Sequence, residues 1–208
     1  MGKLKVYADQ MSQPSRAVLI FCRFNGIDFE EIKVDISKRH HLSPEFREIN
    51  PLQKVPAIVH GSFNLSERST PPFTANYVIN TVLGPATGRP LSPKAAAEAE
   101  KVLLSSLSKL ENIWLNGDGH FLLGVSQPSI AYLSMVCELM QLEDHSRILS
   151  PYKKVLQWIE DTRTATNPHF EEVHNILYRA KKKFEQQRSR VAETGTEPSN
   201  KMGGHSKM

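Results

Sequence analysis

Two hydroxyls, a proline and an arginine crowd one junction. Ser12, Pro14, Ser15 and Arg16 fall within MSQPSRA, Met11 to Ala17. A short apolar run ends before them and a helical pattern begins after them. Pro14 suits the opening turn of a helix, where its missing N–H costs nothing. Either serine can cap such a helix, a role worth about 0.5–2 kcal/mol. The same geometry supports chemistry. A helix N-terminus presents unpaired N–H groups and a partial positive charge, so it favours an anion. A hydroxyl there can donate a hydrogen bond to a thiolate. Each unit by which a thiol pKa falls corresponds to about 1.4 kcal/mol of preference for the ionised form. Geometry alone favours plain capping and leaves the thiolate reading open.

Periodicity places the elements that must hold this junction. Leu4 to Tyr7 alternates apolar and polar residues, as a strand does. Ala17, Ile20, Phe21 and Phe24 share one helix face, and Asn25–Gly26 ends that helix. Phe29 to Val34 reads as a second strand, which completes a βαβ unit. Pro44 to Glu48 forms a short turn of helix. Ala57 to Val59 and Phe63 to Leu65, joined at His60–Gly61, read as an antiparallel pair. The second half is helical. Leu103, Leu107, Leu110 and Trp114 follow the 3.6 period, as do Ile130, Leu133, Val136 and Met140. Tyr152, Val155 and Ile159 form a third stripe and Phe170, Val173 and Leu177 a fourth. These stripes read as core. The division is residues 1–70, residues 71–188, and a tail over 189–208 whose Gly, Ser, Thr, Asn and Lys content predicts disorder.

Composition narrows the function classes. The 208 residues are 39% hydrophobic and 23% charged, ordinary for a soluble globular protein. No apolar run approaches the ~20 residues of a membrane helix, so no membrane partner is expected. The first residues lack the apolar core of a secretory signal. Cys22 and Cys137 form no CxxC pair and read as buried apolar thiols. The net charge is +4, with much of the excess in Arg179 to Lys183 and at Arg188 and Arg190. No aromatic platform interleaves with these cations, so they read as a solvated helix face and nucleic acid is not expected. The histidines show no metal-ligand spacing, and no metal is expected.

The order of parts is a βαβ unit, Lys54-Val55-Pro56 ahead of a strand, Glu67 after the hairpin, then a helical half. That order resembles a glutathione S-transferase. SQPSRAV, NGIDFEEIKVDISKRHHLSPEFREINP and KVPAIV are similar to the theta class, and to its plant members most of all. FLLGVSQPSIAYLSMVCELMQLE, YKKVLQWIEDTR and PHFEEVHNIL continue the likeness to about Lys183. The resemblance implies a thioredoxin-like α+β domain that binds glutathione and an all-helical domain that forms most of the electrophile pocket. It implies that Ser12 donates a hydrogen bond to the glutathione sulfur and that Arg16 adds positive potential nearby. Val55–Pro56 corresponds to the family's cis-proline turn, where Val55 pairs with the cysteinyl backbone of the tripeptide. Lys54 and His41 would reach the glycyl carboxylate, and Glu67 the γ-glutamyl ammonium. Gln13, Leu42 and Arg68 complete the implied contacts. Glutathione would be a co-substrate, small electrophiles or organic hydroperoxides would be its reaction partners, and the assembly a homodimer.

This chain departs from the family in places. Arg68 stands where the family has a serine that opens a long helix. Ser69-Thr70-Pro71-Pro72 follows, and two prolines forbid a helix through that point. The likeness resumes at Asn76. The third helix of the thioredoxin-like domain, the linker and most of the first helix of the second domain are therefore expected to be missing, about 40 residues at ten or more per helix. Val55 and Ile58 should then face water, and the electrophile wall and dimer interface should be damaged. Tyr132 replaces the acid that pairs with Ser129 in a capping box, a loss of roughly 1 kcal/mol at that helix start. A second functional reading follows: a catalytically impaired remnant that binds only glutathione or a protein partner. The chain ends Ser206-Lys207-Met208, which resembles a peroxisomal signal of the S-K-L type. It implies an import receptor as partner, and a peroxisomal and cytoplasmic location with the nucleus as alternative.

Overall fold

Alternation along the first strand decides how the sheet is covered. The computed structural model describes residues 3–61, 63–65, 74–83, 92–115, 129–142 and 146–194. In β1 (Leu4–Ala8), Val6 and Ala8 join the main core while Tyr7 joins a smaller cluster on the other face. Helix α1 (Gln13–Phe24) buries Ala17, Leu19 and Ile20 in that main core. Strand β2 (Phe29–Lys33) then runs parallel to β1, with Leu4 opposite Phe29 and Ala8 opposite Lys33. Helix α2 (Pro44–Ile49) covers the second face with Phe46, whose ring meets Tyr7 edge-on at 6.1 Å. Strands β3 (Ala57–His60) and β4 (Phe63–Leu65) are antiparallel. The four described strands stand in the order β2-β1-β3-β4. The expected βαβ unit and hairpin are both present.

The helical half begins with α3 (Ala75–Val78), which continues as a π turn to Leu83. It goes on through α4 (Pro93–Lys109), α5 (Ile130–Leu139), α6 (Ser146–Leu149), α7 (Lys153–Ala165) and α8 (His169–Thr194). Helix α5 is the centre of this half. It buries Leu133, Val136, Cys137 and Leu139 and packs against α1. A helix apolar on nearly all sides belongs inside. Its last carbonyls have no partner within the helix, and three other segments supply donors. Arg16 of α1 reaches the Cys137 carbonyl at 3.1 Å. Thr74 Oγ1 reaches the Glu138 carbonyl at 3.0 Å and its carboxylate at 2.8 Å. Lys181 Nζ of α8 reaches the Met140 carbonyl at 2.6 Å. Cations suit this end because the helix dipole leaves it negative.

Three expectations need correcting. Residues 189–194 continue α8 rather than opening the tail. Val55 and Ile58 are half-buried rather than bare. Val55 packs under α2 and Ile58 beside Val6, its partner across the ladder. The exposed residue is Leu65 on the margin strand, at 52%. Trp114 and Ile130, read as core from their stripes, are exposed at 48% and 40%. In line with the capping box lost at Tyr132, Ser129 makes no side-chain cap, and Tyr132 is buried. Glu67, Arg68 and Ser206-Lys207-Met208 lie outside the described residues. Cys22 and Cys137 are both buried, and burial pushes the Cys22 thiol up.

His174 of α8 is wholly buried, with its ring stacked on Phe170 at 4.1 Å. Its Nδ1–H donates to the Phe170 carbonyl at 2.8 Å, since a carbonyl can only accept. Burial first, then the charge of Arg16, lowers its pKa to about 3, with Arg163 and Lys181 adding to the effect. The unfolded chain binds this proton below about 6.5 while the folded chain refuses it, so folding weakens as pH falls through that window. Thermal melting between pH 7 and 4 should show a falling midpoint, and His174→Phe should flatten the fall. An equal slope in both proteins would remove His174 as its source.

Candidate functional site

Topology gathers the implied site residues at one end of the sheet. β1 and β2 are parallel, so the segments that follow them leave from the same end. β3 runs against β1 with Ala57 opposite Tyr7, so Val55 and Pro56 lie at that end also. β4 runs against β3, so its last residue, Leu65, lies toward that end; Glu67 lies outside the described residues. Three described segments therefore converge there: residues 9–16, residues 35–42 and residues 50–56.

The first segment is held by buried polar groups. Asp9 accepts from the Met11 N–H at 2.9 Å and the Ile36 N–H at 2.8 Å. Its carbonyl accepts from the Ser12 N–H at 2.8 Å. Arg16 Nη1 donates to the carbonyls of Gln10 and Met11 at 2.9 and 3.0 Å. Arg16 has no exposed surface, so it does not open toward a ligand. Desolvation lowers its pKa, against smaller raising effects from Cys137 and Glu138. Ser15 is buried too, and its hydroxyl has no hydrogen-bond partner.

Ser12 occupies the N-cap of α1 with extended backbone, φ −79° and ψ 125°. Its hydroxyl does not cap the helix. Two other N-cap serines behave differently. Ser43 accepts from the Phe46 N–H at 3.2 Å, and Ser92 from the Ala95 N–H at 3.3 Å. Ser12 is half-buried, and no acidic residue stands in the first turn of α1 to satisfy its positive end. The Ser12 hydroxyl thus stands uncommitted at the positive end of α1. Gln13 beside it is half-buried.

The other segments bring a second set of donors. A 3-10 turn over His40–Leu42 leaves Leu42 exposed and His41 half-buried. His41 Nδ1 is buried with no hydrogen-bond partner, and so is Gln53 Nε2. Lys54 is exposed, and the Val55–Pro56 peptide is cis, as the resemblance implies. Asn50 builds this turn. Its Nδ2 donates to the Lys54 carbonyl at 2.7 Å and its Oδ1 accepts from the Leu52 N–H at 2.9 Å. These bonds enclose Gln53 at φ +53°, a conformation that costs a side chain. Asp9 and Asn50 are the positions the sequence reading missed. Their signal was present: an Asx residue two positions before a turn amide, and for Asn50 a following proline. Among the described residues, no group of three His, Cys, Asp or Glu side chains comes together as a metal site.

Comparison with known proteins adds ancestry to this geometry. Residues 2–68 match the family model of the glutathione S-transferase N-terminal domain. Glutathione S-transferase T1 of Arabidopsis thaliana is 51% identical over 231 residues, covering 90% of this chain and 94% of that protein. A 208-residue chain cannot fill that span, so a sizeable block of the relative faces a gap. Glutathione S-transferase T2 of the same plant is 49% identical over 96% of this chain, which spans only 41% of its length. A human theta-class glutathione transferase, solved with the glutathione conjugate of 1-menaphthyl sulfate, superposes with a TM-score of 0.76. It is 26% identical, over 91% of this chain and 92% of that one.

The contrast among the N-cap serines has a measurable consequence. Ser43→Ala should lower stability by about 0.5–2 kcal/mol in denaturant unfolding. Ser12→Ala should change it by less than about 0.5 kcal/mol, because no capping bond is lost. Equal losses would mean that Ser12 caps α1 after all.

Proposed function

Because this chain belongs to the glutathione S-transferase family, alongside its theta class, we propose that it binds glutathione where β1 gives way to α1 and holds the sulfur there as a thiolate. The observation that carries this reading is the uncommitted Ser12 hydroxyl at the positive end of α1. The hydroxyl donates to the sulfur and is not itself the nucleophile. The helix dipole favours the anion at the same place. The thiolate attacks an electrophilic carbon, a C–S bond forms, and the leaving group departs with its bonding electrons. With an organic hydroperoxide the thiolate attacks the terminal oxygen, an S–O bond forms as the O–O bond breaks, and the alkoxide takes a proton from water and leaves as the alcohol. A second glutathione then displaces the oxidised sulfur's oxygen as water and yields the disulfide. No metal takes part.

The remaining contacts follow the tripeptide. His41 Nδ1 and Gln53 Nε2 are buried nitrogens without partners, suited to the glycyl carboxylate, with Lys54 adding charge. Val55 would pair with the cysteinyl backbone, flanked by Pro56, with Gln13 and Leu42 lining the same end. Glu67 and Arg68 would meet the γ-glutamyl group. A second reading, binding without turnover, is favoured by exposed Leu65 and by the block missing from the match. The same gap would weaken the family's homodimer.

Ser12→Ala should lower kcat for conjugation and peroxide reduction by about 100-fold, the usual scale for losing one donor at a developing or held anion. Calorimetric glutathione binding should persist. Unchanged turnover would reject the donor role, and binding without turnover in the unaltered chain would establish the second reading. The import proposal is checked separately. A fluorescent protein fused ahead of the chain should collect in peroxisomes, and removing Ser206-Lys207-Met208 should release it to the cytosol. Identical distributions would dismiss the signal.

A further inference from the structure

The carbonyls of Gln10 and Met11, just ahead of Ser12, are held by the same guanidinium that holds Cys137 in α5. We propose that Arg16 is a positioning residue that couples the helical half to the Ser12 hydroxyl. The inference rests on Ser12 being the sulfur's hydrogen-bond donor.

Arg16 touches no ligand, since it has no exposed surface. Its planar fork fixes several donors at once, which a flexible ammonium cannot do. Nη1 spans both turn carbonyls and Nη2 takes the α5 carbonyl. The Arg16 backbone N–H also donates to the Ser12 carbonyl at 3.1 Å. From the opposite side, Asp9 holds the Met11 N–H and, through its own carbonyl, the Ser12 N–H. The turn is therefore clamped between an anion of the sheet end and a cation seated on α5. Any movement of the α5 terminus reaches the turn through one rigid group. Hydrogen bonds weaken steeply with misalignment, so a displaced turn costs thiolate stabilisation even when glutathione still binds.

Arg16→Lys keeps a cation and loses the fork. In the purified whole chain, ultraviolet titration of bound glutathione should show ionisation delayed by about one pH unit, a tenfold loss of thiolate at fixed pH. The KM for glutathione should change by less than about threefold while kcat falls about tenfold. In a Ser12→Ala background, Arg16→Lys should cost nothing further in kcat, because both act on one hydrogen bond. Losses that multiply, or undisturbed ionisation in Arg16→Lys, would overturn the coupling. Normal ionisation in Ser12→Ala would instead refute the donor reading beneath it. Should Arg16→Lys lose the native circular dichroism, the unaltered chain decides. The Arg16 Nη–H resonances should shift in nitrogen-edited NMR as glutathione is added, and resonances unmoved at saturation would overturn the proposal.

Discussion

A guanidinium with no exposed surface joins the two halves of this chain, and most of the arrangement follows from satisfying it. Removing a charge from water costs several kcal/mol, roughly, unless the surroundings replace the lost hydration. Here the replacement is mostly backbone, three carbonyls from two segments, one of them near the negative end of α5, with the Cys137 side chain beside them, while Nε stays buried without a partner. That requirement fixes where α5 ends relative to α1. It also fixes the path of residues 10–12, since two of their carbonyls are among the three.

The terminus of α5 gathers more than Arg16. Thr74 and Lys181 complete it from the segments before α3 and within α8. Buried Glu138 adds a carboxylate that accepts from the Thr74 N–H at 3.3 Å and its hydroxyl at 2.8 Å. The segment that resumes at Thr74 is thus tied to the interior by polar bonds as well as by Tyr77 and Val78, which join the main core. Those ties hold the first described segment of the helical half against α5.

Local pattern carried much of the fold. The alternation of Leu4 to Tyr7 and most of the helix stripes from Ala17 to Leu177 mark residues whose burial follows period, while Trp114 and Ile130 keep the period and stay exposed. Ser12, the Val55–Pro56 turn and Lys54 were legible because their neighbours in sequence carry the family pattern. Arg16 shows the limit. Its position was visible, but its partner Cys137 lies 121 residues away, and no local pattern announces a carbonyl so distant. Leu65 shows another limit. Whether Ile58 or Leu65 is left bare depends on strand order, with Ile58 beside Val6 and Leu65 at the margin. Asp9 and Asn50 hid for a third reason: their function is to hold backbone, which composition does not separate from ordinary turn residues.

The burial of both thiols has a chemical corollary. Oxidants act on thiolates far faster than on thiols; burial suppresses the ionisation of Cys22 and leaves Cys137 without exposed surface. A thiol open to solvent would be liable to sulfenic and sulfonic lesions. Enclosing both cysteines keeps the polypeptide's own thiols out of reach of whatever diffuses past its surface.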